Sequence, residues 1–180
     1  TQSRSSAASD VYKRQSENVA YNADTTWSKD TAHLILIQEP YSDNKTGKIK
    51  NTPLNYTTFY KTGTHPRACI MISKPFDKLA IMHEDLSDRD TCTISLPDPR
   101  DGKKRMLYCS SYLPNTRNPG DPPIQIRDSK LIDSIKRAEK LQWGWQTNTD
   151  SNAHSTLWGN DKTDKRGREL EEIIDEYGLT

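Results

Sequence analysis

The chain has 180 residues, a length that fits one domain of ordinary size. Its 26 lysines and arginines nearly balance 25 aspartates and glutamates, so the chain lacks the overall excess of basic charge typical of duplex-binding proteins, which predicts modest non-specific affinity for DNA. Hydrophobic residues make up only 32% of the chain, but they cluster in short runs. The net charge is too small for charge repulsion to keep the chain unfolded. The sequence therefore predicts a lean, ordered domain with long polar loops.

Cysteine spacing and hydropathy indicate the redox compartment of the protein and whether it crosses a membrane. Cys69, Cys92 and Cys109 each lie within an apolar run and lack the C-x-x-C spacing of zinc or redox sites. We therefore expect buried free thiols in a reducing compartment. No apolar stretch approaches the ~18 residues of a membrane span, and the start of the chain lacks the apolar core of a signal peptide. These features predict a soluble intracellular protein with no membrane partner.

The first 30 residues are polar. A short apolar pattern at Ala7, Ala8, Val11 and Tyr12 has helical spacing and predicts one weak amphipathic helix. The stretch from Ser6 to Gln15 also looks like translated adapter sequence of the kind that contaminates assembled transcripts, so a native helix and a non-native segment both remain open. We divide the chain into a polar N-terminal segment, 1–30, and one domain, 31–180.

Strand-like runs follow from Leu34. Leu34 to Ile37 is a continuous apolar run that ends at Gln38-Glu39-Pro40, as expected for a strand buried on both faces and stopped by proline. Glu39 is then placed at the carboxyl end of that strand. After a polar loop from Lys45 to Pro53, three further runs predict strands. They are Ala68 to Ile72, Thr91 to Leu96, and Met106 to Leu113.

The last third of the chain is helical in pattern. A proline-rich loop, Pro114 to Pro123, precedes a helix predicted to start near Asp128. Its apolar face comprises Leu131, Ile132, Ile135, Ala138 and Leu141. A second face comprises Leu170, Ile173, Ile174 and Tyr177, and Gly178 closes that helix. Strands followed by helix, strand and helix predict an α/β sandwich.

Three polar positions offer the parts of a phosphodiester-cleaving site. Such hydrolysis needs a divalent metal to offset charge, an acidic ligand for that metal, and a base that aims water. Glu39 at one strand end, Tyr112 at another, and the Asp150-x-Asn152 loop supply these parts if the strands are neighbours in one sheet. Each piece alone is ambiguous, because glutamate before proline commonly ends a strand and Asp-x-Asn is commonly a turn.

The order of the motifs is more specific than any one of them. The motifs are Gln38-Glu39-Pro40, Ser110-Ser111-Tyr112-Leu113-Pro114-Asn115, Asp150-x-Asn152-Ala153-His154, Trp158-Gly159 and Arg166-Gly167. From about Leu34 to Leu179 the chain resembles the endonuclease domain of non-LTR (LINE-type) retrotransposons, within the endonuclease/exonuclease/phosphatase superfamily. The resemblance implies a DNase I-like, four-layered α/β sandwich with two mixed sheets flanked by helices.

The resemblance also assigns roles to individual residues. It implies that Glu39 binds Mg²⁺ or Mn²⁺, with hard oxygen ligands. Asp150 would position or deprotonate the attacking water, while Asn152 and Tyr112 would contact the scissile phosphate. Asn115 would line the DNA channel.

Two further residues have competing interpretations. His154 matches the first of two adjacent histidines common in such elements and would contact DNA, but Ser155 replaces the second, and a solvent-exposed loop histidine is an equal alternative. Trp158 is expected to pack against an apolar seat formed by Leu157 and Leu170, and not to stack on a base.

The implied biology is that of target-primed integration. The intact protein would nick target DNA in the nucleus so that the new 3′-hydroxyl primes a downstream reverse transcriptase domain. The alternatives are a phosphatase or repair nuclease of the same fold, a non-catalytic DNA-binding module, and a pseudogene remnant.

Three departures from the family pattern bear on activity. No asparagine matches the metal-site asparagine of the family's first strand, and the Ser-Asp-His strand that supplies the catalytic histidine is not in these 180 residues. The third is Gln146 to Thr149, which is polar where an apolar central strand is expected, a loss of about 1.5–3 kcal/mol for each large side chain not buried. We therefore expect a domain incomplete at both ends, truncated before its final catalytic strand, and inactive alone.

Overall fold

A computed structural model describes residues 33–116 and 124–179. The predicted helix near Ala7 and most of the proline-rich loop lie outside these residues. The strands are β1 (Leu34–Gln38), β2 (Tyr56–Phe59), β3 (Ala68–Ser73), β4 (Ile81–Met82), β5 (Thr91–Pro97), β6 (Arg105–Tyr112) and β7 (Gly144–Asp150). The helices are α1 (Lys74–Asp77), α2 (Lys130–Leu141) and α3 (Lys165–Tyr177), and short 3-10 turns span Glu84–Leu86, Ile126–Asp128 and Thr156–Trp158.

The strands form two sheets. In the first, β3 lies between β1 and β2 and pairs antiparallel with both. In the second, the order is β4-β5-β6-β7, with antiparallel pairs except for β6 and β7, which run parallel. The connection from β6 to β7 contains α2, as a parallel pair requires a crossover.

Period-two alternation builds the core between the sheets. Ala68, Ile70 and Ile72 of β3 face Cys92 and Ile94 of β5 in one fully buried cluster. The intervening residues of β3, Cys69 and Met71, face the other side of the first sheet and pack with Tyr56. The two sheets are therefore stacked face to face through one side of β3.

The outer face of the second sheet is covered by helices. The apolar faces predicted for α2 and α3 meet there in a cluster of Cys109, Leu113, Ile126, Leu131, Ile132, Ile135 and Ile173. Leu141 was also predicted to belong to the face of α2, but it is the last residue of the helix and is 40% exposed. The buried hydroxyls of Thr93 on β5 and Ser134 on α2 lie 3.0 Å apart and fix the helix to the sheet. Gly178 ends α3 in the left-handed region (φ 60°), as predicted. The predicted α/β sandwich is confirmed.

Two sequence-based expectations about strands are wrong. All five residues of β1 are only half-buried, because within the described chain β1 pairs with β3 alone and forms a sheet edge. The polar run from Gln146 to Thr149 does form a strand, β7. Within residues 33–116 and 124–179 it lies at the edge of the second sheet, where Gln146 and Asn148 are exposed and need no apolar partner.

The short strands, the cysteines and the helix lengths can also be compared with the sequence predictions. The short strands β2 and β4 were not predicted. Cys69, Cys92 and Cys109 are buried free thiols, as predicted, and burial raises the pKa of all three, that of Cys109 to about 11. No helix in the described residues is long and apolar enough to cross a membrane.

Candidate active site

The strands that carry the predicted site residues end together. In the parallel pair of β6 and β7, Tyr112 is the register partner of Asp150, and each is the last residue of its strand. β1 of the other sheet reaches the same place, because Gln38 donates hydrogen bonds to the Ser110 hydroxyl (3.1 Å) and to the Asn148 carbonyl (2.8 Å). The sequence interpretation required all three strands to be neighbours in one sheet, and this is wrong for β1, which belongs to the facing sheet. Glu39 follows Gln38 directly, so the three strand ends still lie at one end of the sandwich.

Side-chain alternation points Tyr112 and Asp150 toward the first sheet. Ser110, two residues before Tyr112, donates to the carbonyl of Ile37 in β1 at 2.8 Å. Asn148, two residues before Asp150, donates to the Leu36 carbonyl at 3.5 Å. Because residues two apart in a strand share a face, Tyr112 and Asp150 project to the side of the second sheet that faces β1.

Tyr112 is held by neighbours that the sequence did not assign to the site. The Arg67 guanidinium carbon lies 4.9 Å from the centre of the Tyr112 ring, a cation–π contact. Arg67 in turn donates to the Asp90 carboxylate at 2.6 Å, and the Tyr112 backbone N–H donates to the Asp90 carbonyl at 2.8 Å. The Tyr112 ring therefore packs against the Arg67 guanidinium, and its backbone is held by the hydrogen bond to Asp90.

The loop after β7 is closed by Asn152. Its backbone has φ 49°, in the left-handed region that asparagine tolerates better than most residues. Its N–H donates to Asp150 Oδ1 (3.3 Å), and its side-chain amide donates to the Leu113 carbonyl (3.1 Å). Asp150 and Asn152 are thus brought next to the end of β6, as predicted, by contacts that also stabilise the turn.

Glu39 also has an unusual backbone. Its φ is 50°, and its N–H donates to the Arg67 carbonyl at 2.7 Å, while the residue is exposed at the surface. A positive φ in a non-glycine residue is uncommon, and here it turns the chain out of β1 immediately before Pro40. Arg67, which contacts both Glu39 and Tyr112, links the two sheets at this end.

Arg166 ties three loops together. Its guanidinium donates to the carbonyls of Ser151 (2.6 Å), Ile124 (2.5 Å) and Leu113 (3.1 Å). Burial lowers the pKa of this guanidinium, although arginine remains charged at neutral pH. The sequence marked Arg166 only as part of a motif, because contacts between segments 42 to 53 residues apart leave no local pattern.

Gly167, the other half of that motif, is required by close packing. A Cβ at this position would lie 1.9 Å from the His154 carbonyl oxygen. Its N–H donates to Asp164, the N-cap of α3, at 2.5 Å. Only glycine lets α3 approach the loop that follows β7.

His154 and Asn115 lie in loops next to these elements. The exposed His154 ring nitrogen Nδ1 is 2.9 Å from Asp164 Oδ2. The Gly167 N–H, followed by His154, lowers the pKa of the Asp164 carboxyl. Asn115 is exposed, and its carbonyl accepts from the Ile124 N–H at 2.8 Å. The DNA contacts assigned to both remain predictions.

Trp158 does not have the apolar packing contacts that the sequence predicted. Leu157 is 76% exposed and cannot form the expected apolar seat. The Trp158 indole is partly exposed and donates to the Ala153 carbonyl at 3.1 Å. The reason is that Leu157 lies in a one-turn 3-10 segment, in which neighbouring residues point in different directions.

The carboxylates at these strand ends suit a hard cation whose coordination sphere is completed by water and phosphate. Within residues 33–116 and 124–179, no three histidine, cysteine, aspartate or glutamate residues group closely enough to hold a metal. Magnesium needs only one or two carboxylates, with water and substrate phosphate as the other ligands. Glu39 at the end of β1 and Asp150 at the end of β7 are oxygen donors of that kind, so the residues fit Mg²⁺ or Mn²⁺ and do not fit a four-ligand zinc site.

The fold is shared with a solved endonuclease. The structure is similar to that of the endonuclease domain of TRAS1, a telomere-specific non-LTR retrotransposon, with a TM-score of 0.63 and 21% sequence identity over 91% of this chain and 67% of that chain. No family model matches the sequence. No curated protein matches it either. The comparison shows the fold, which is the DNase I-like α/β sandwich that the sequence predicted.

Proposed function

We propose that this chain carries the active site of a DNA endonuclease of the non-LTR retrotransposon kind. The observation that carries the proposal is the register pairing of Tyr112 with Asp150 at the ends of two parallel strands, with Glu39 at the same end of the facing sheet. The shared fold with a retrotransposon endonuclease domain supports the substrate class, a DNA phosphodiester.

The chemistry follows from residue types and placement. The Asp150 carboxylate orients or deprotonates the attacking water, as a general base must lie next to the reacting atoms. The Asn152 amide and the Tyr112 hydroxyl donate hydrogen bonds to the scissile phosphate, and Asn115 and His154 contact the DNA beyond it. Glu39 would hold Mg²⁺ or Mn²⁺, which would supply charge neutralisation at the phosphate.

The wider setting is also part of the proposal. A nick in nuclear target DNA leaves a 3′-hydroxyl that can prime reverse transcription, and a downstream reverse transcriptase domain is the partner that would use it. The net charge of +1 predicts that sequence-independent attraction to DNA is weak, so positioning depends on the site and on such partners.

We further propose that the 180-residue chain does not turn over DNA alone. The resemblance assigns the reaction a histidine from a Ser-Asp-His strand, and that tripeptide does not occur in the sequence. Three of its four histidines are engaged elsewhere: His33 with Ser73, His83 with Ser95 and His154 with Asp164. Added imidazole should therefore substitute in part for the absent side chain.

The experiment is a nicking assay on supercoiled plasmid with Mg²⁺, with and without imidazole, using the 180-residue chain and Asp150→Asn. We expect nicking by the wild-type chain only when imidazole is present and none by Asp150→Asn. Nicking without imidazole that Asp150→Asn abolishes would contradict inactivity while supporting the chemistry. Nicking that Asp150→Asn leaves unchanged, or no nicking together with no Mg²⁺-dependent duplex binding, would contradict the proposed function.

A further inference from the structure

The apolar side chain of Leu157 is exposed to solvent in the loop that leads away from the candidate active site. Leu157 is 76% exposed and lies in the 3-10 turn Thr156–Trp158, five residues after Asn152. The loop that carries it leaves from the end of β7, at Asp150. Five residues of chain span at most ~17 Å. Leu157 is therefore within about five base-pair steps, at 3.4 Å each, of a phosphate held at Asn152.

The turn that presents Leu157 is held by several hydrogen bonds although its tip is exposed. The Leu157 N–H donates to Ser155 Oγ (3.0 Å), and the Thr156 N–H donates to Thr163 Oγ1 (3.2 Å). Ser155 is fully buried and hydrogen-bonds Glu171 of α3, and the Trp158 indole is bonded to the Ala153 carbonyl. The exposure of Leu157 is thus imposed by a hydrogen-bonded backbone, and is not that of a loose loop.

The surface around the turn carries exposed cations. Lys162, Lys165 and Arg168 follow within eleven residues and are all exposed. One of the two acidic residues among them, Asp164, is engaged by His154 and by the Gly167 N–H. An apolar tip with flanking cations beside a phosphodiester site matches duplex DNA, in which apolar wedges contact base steps while lysine and arginine contact phosphates.

We propose that Leu157 is a DNA-contacting residue that packs against base edges in the minor groove, within about five base-pair steps of the phosphate held at Asn152. The inference rests on the proposed function, because it takes DNA to be the substrate. Leucine is one of the side chains that proteins insert at base steps, and its contact selects steps that deform easily. Leu157 would thereby influence which target sequence is nicked.

The chain contains a matched control for this proposal. Leu54 is 84% exposed and immediately precedes Asn55 and β2. β2 begins at Tyr56, opposite Ser73, whereas Glu39 lies beyond the Gln38–Ala68 pair at the other end of the same sheet. Leu54→Ala therefore removes an equally exposed leucine at the end of the sandwich away from the site.

The test is duplex binding by fluorescence anisotropy at low salt with Mg²⁺, and the fluorescence of 2-aminopurine placed near the binding site. We expect Leu157→Ala to weaken binding at least about fivefold and to abolish the 2-aminopurine signal of unstacking, with an unchanged slope of affinity against salt. Leu54→Ala should match the wild type in both measurements, and thermal unfolding should be the same for all three proteins.

The outcomes separate this inference from the proposed function. If the wild-type chain binds duplex and Leu157→Ala binds equally well, or if both alanine variants lose affinity to the same extent, the role of Leu157 is wrong and the proposed function stands. If the wild-type chain shows no duplex binding, the proposed function is itself contradicted, and the inference with it.

Discussion

Tyr112 and Asp150 are register partners at the last positions of two adjacent parallel strands. Parallel neighbours end at the same edge of a sheet, and register partners project to the same face, so this pairing alone brings a phenol and a carboxylate together. Asn152 closes the turn by donating to the Leu113 carbonyl, one residue beyond Tyr112. The ends of β6 and β7 thus form one structural unit.

Asn152→Asp tests whether a phosphate approaches that unit. Aspartate tolerates the left-handed φ of 49°, but it adds a negative charge and cannot donate to the Leu113 carbonyl, so thermal unfolding must first show that the variant keeps its fold. Like-charge repulsion should lower duplex affinity at least about tenfold, as measured by anisotropy at low salt. Asn55→Asp makes the same change at an exposed position just before β2, at the end of the sandwich away from the site, and should alter affinity little. Equal affinities for the two variants would contradict the placement of the phosphate.

Arg166→Gln tests the three-carbonyl contact that joins the loops around the site. Because the buried Leu113 carbonyl and the half-buried Ser151 and Ile124 carbonyls lose a charged donor, we expect the free energy of unfolding to fall by about 1–3 kcal/mol in urea denaturation. Arg168 is exposed and donates to one carbonyl, that of Thr163, at 3.3 Å. Arg168→Gln should therefore change stability by no more than about 0.5 kcal/mol. A similar loss in both variants would show that Arg166 does not stabilise these loops.

Asp164 should contribute a pH-dependent part of the stability. It caps α3, so Asp164→Ala should cost about 1 kcal/mol near pH 7, and Asp164→Asn, which keeps an acceptor, should cost less. The Gly167 N–H and His154 lower the pKa of this carboxyl in the folded state. Its stabilisation is then present above the ordinary carboxyl pKa and is lost as the pH falls through the lowered one.

Urea denaturation at about pH 7 and about pH 3 tests the sign of this effect. The difference in stability between the wild type and Asp164→Ala should shrink in acid. A difference that is constant across this range, or that grows in acid, would contradict the cap and the direction of the pKa shift.

The three cysteines provide a test of the core. The thiolate is the reactive form, and burial raises the pKa of Cys69, Cys92 and Cys109. We expect no thiol of the folded chain to react with Ellman's reagent at neutral pH, and all three to react in denaturant. Any thiol that reacts in the folded chain at the rate of free cysteine would be incompatible with the packing of Cys69 against Tyr56, of Cys92 between the sheets, or of Cys109 under α2.

The sequence predicted the long, periodic elements and missed the short ones. Ala68 to Ile72 and the apolar face of α2 are continuous or strictly periodic, so local pattern alone identifies them. β2 and β4 have four and two residues, too few for a period to be visible. The polar strand β7 was misjudged because burial depends on the position of a strand in its sheet, which the sequence of that strand does not contain.

The site residues themselves remain predictions, and the contacts that hold them in place could not be predicted from the sequence. Glu39, Tyr112 and Asp150 were identified by motif order, and the structure places their strand ends together. Arg67 over the Tyr112 ring and the contacts of Arg166 join distant segments, so no spacing rule reveals them. The exposure of Leu157 likewise depends on the hydrogen bonds of its turn.

The central claim is that Glu39 holds a divalent cation that draws DNA to the end of the sandwich. Glu39→Gln removes the carboxylate charge while keeping the shape of the side chain. Glu139→Gln makes the same change at an exposed position of α2, the helix on the outer face of the second sheet.

The most direct measurement is the gain in duplex affinity of the chain on adding Mg²⁺, determined by anisotropy for the wild type and both variants at fixed ionic strength. We predict that the wild type and Glu139→Gln bind duplex more tightly with Mg²⁺ and that Glu39→Gln shows no gain. A gain of the same size in Glu39→Gln, or none in the wild type, would contradict the account.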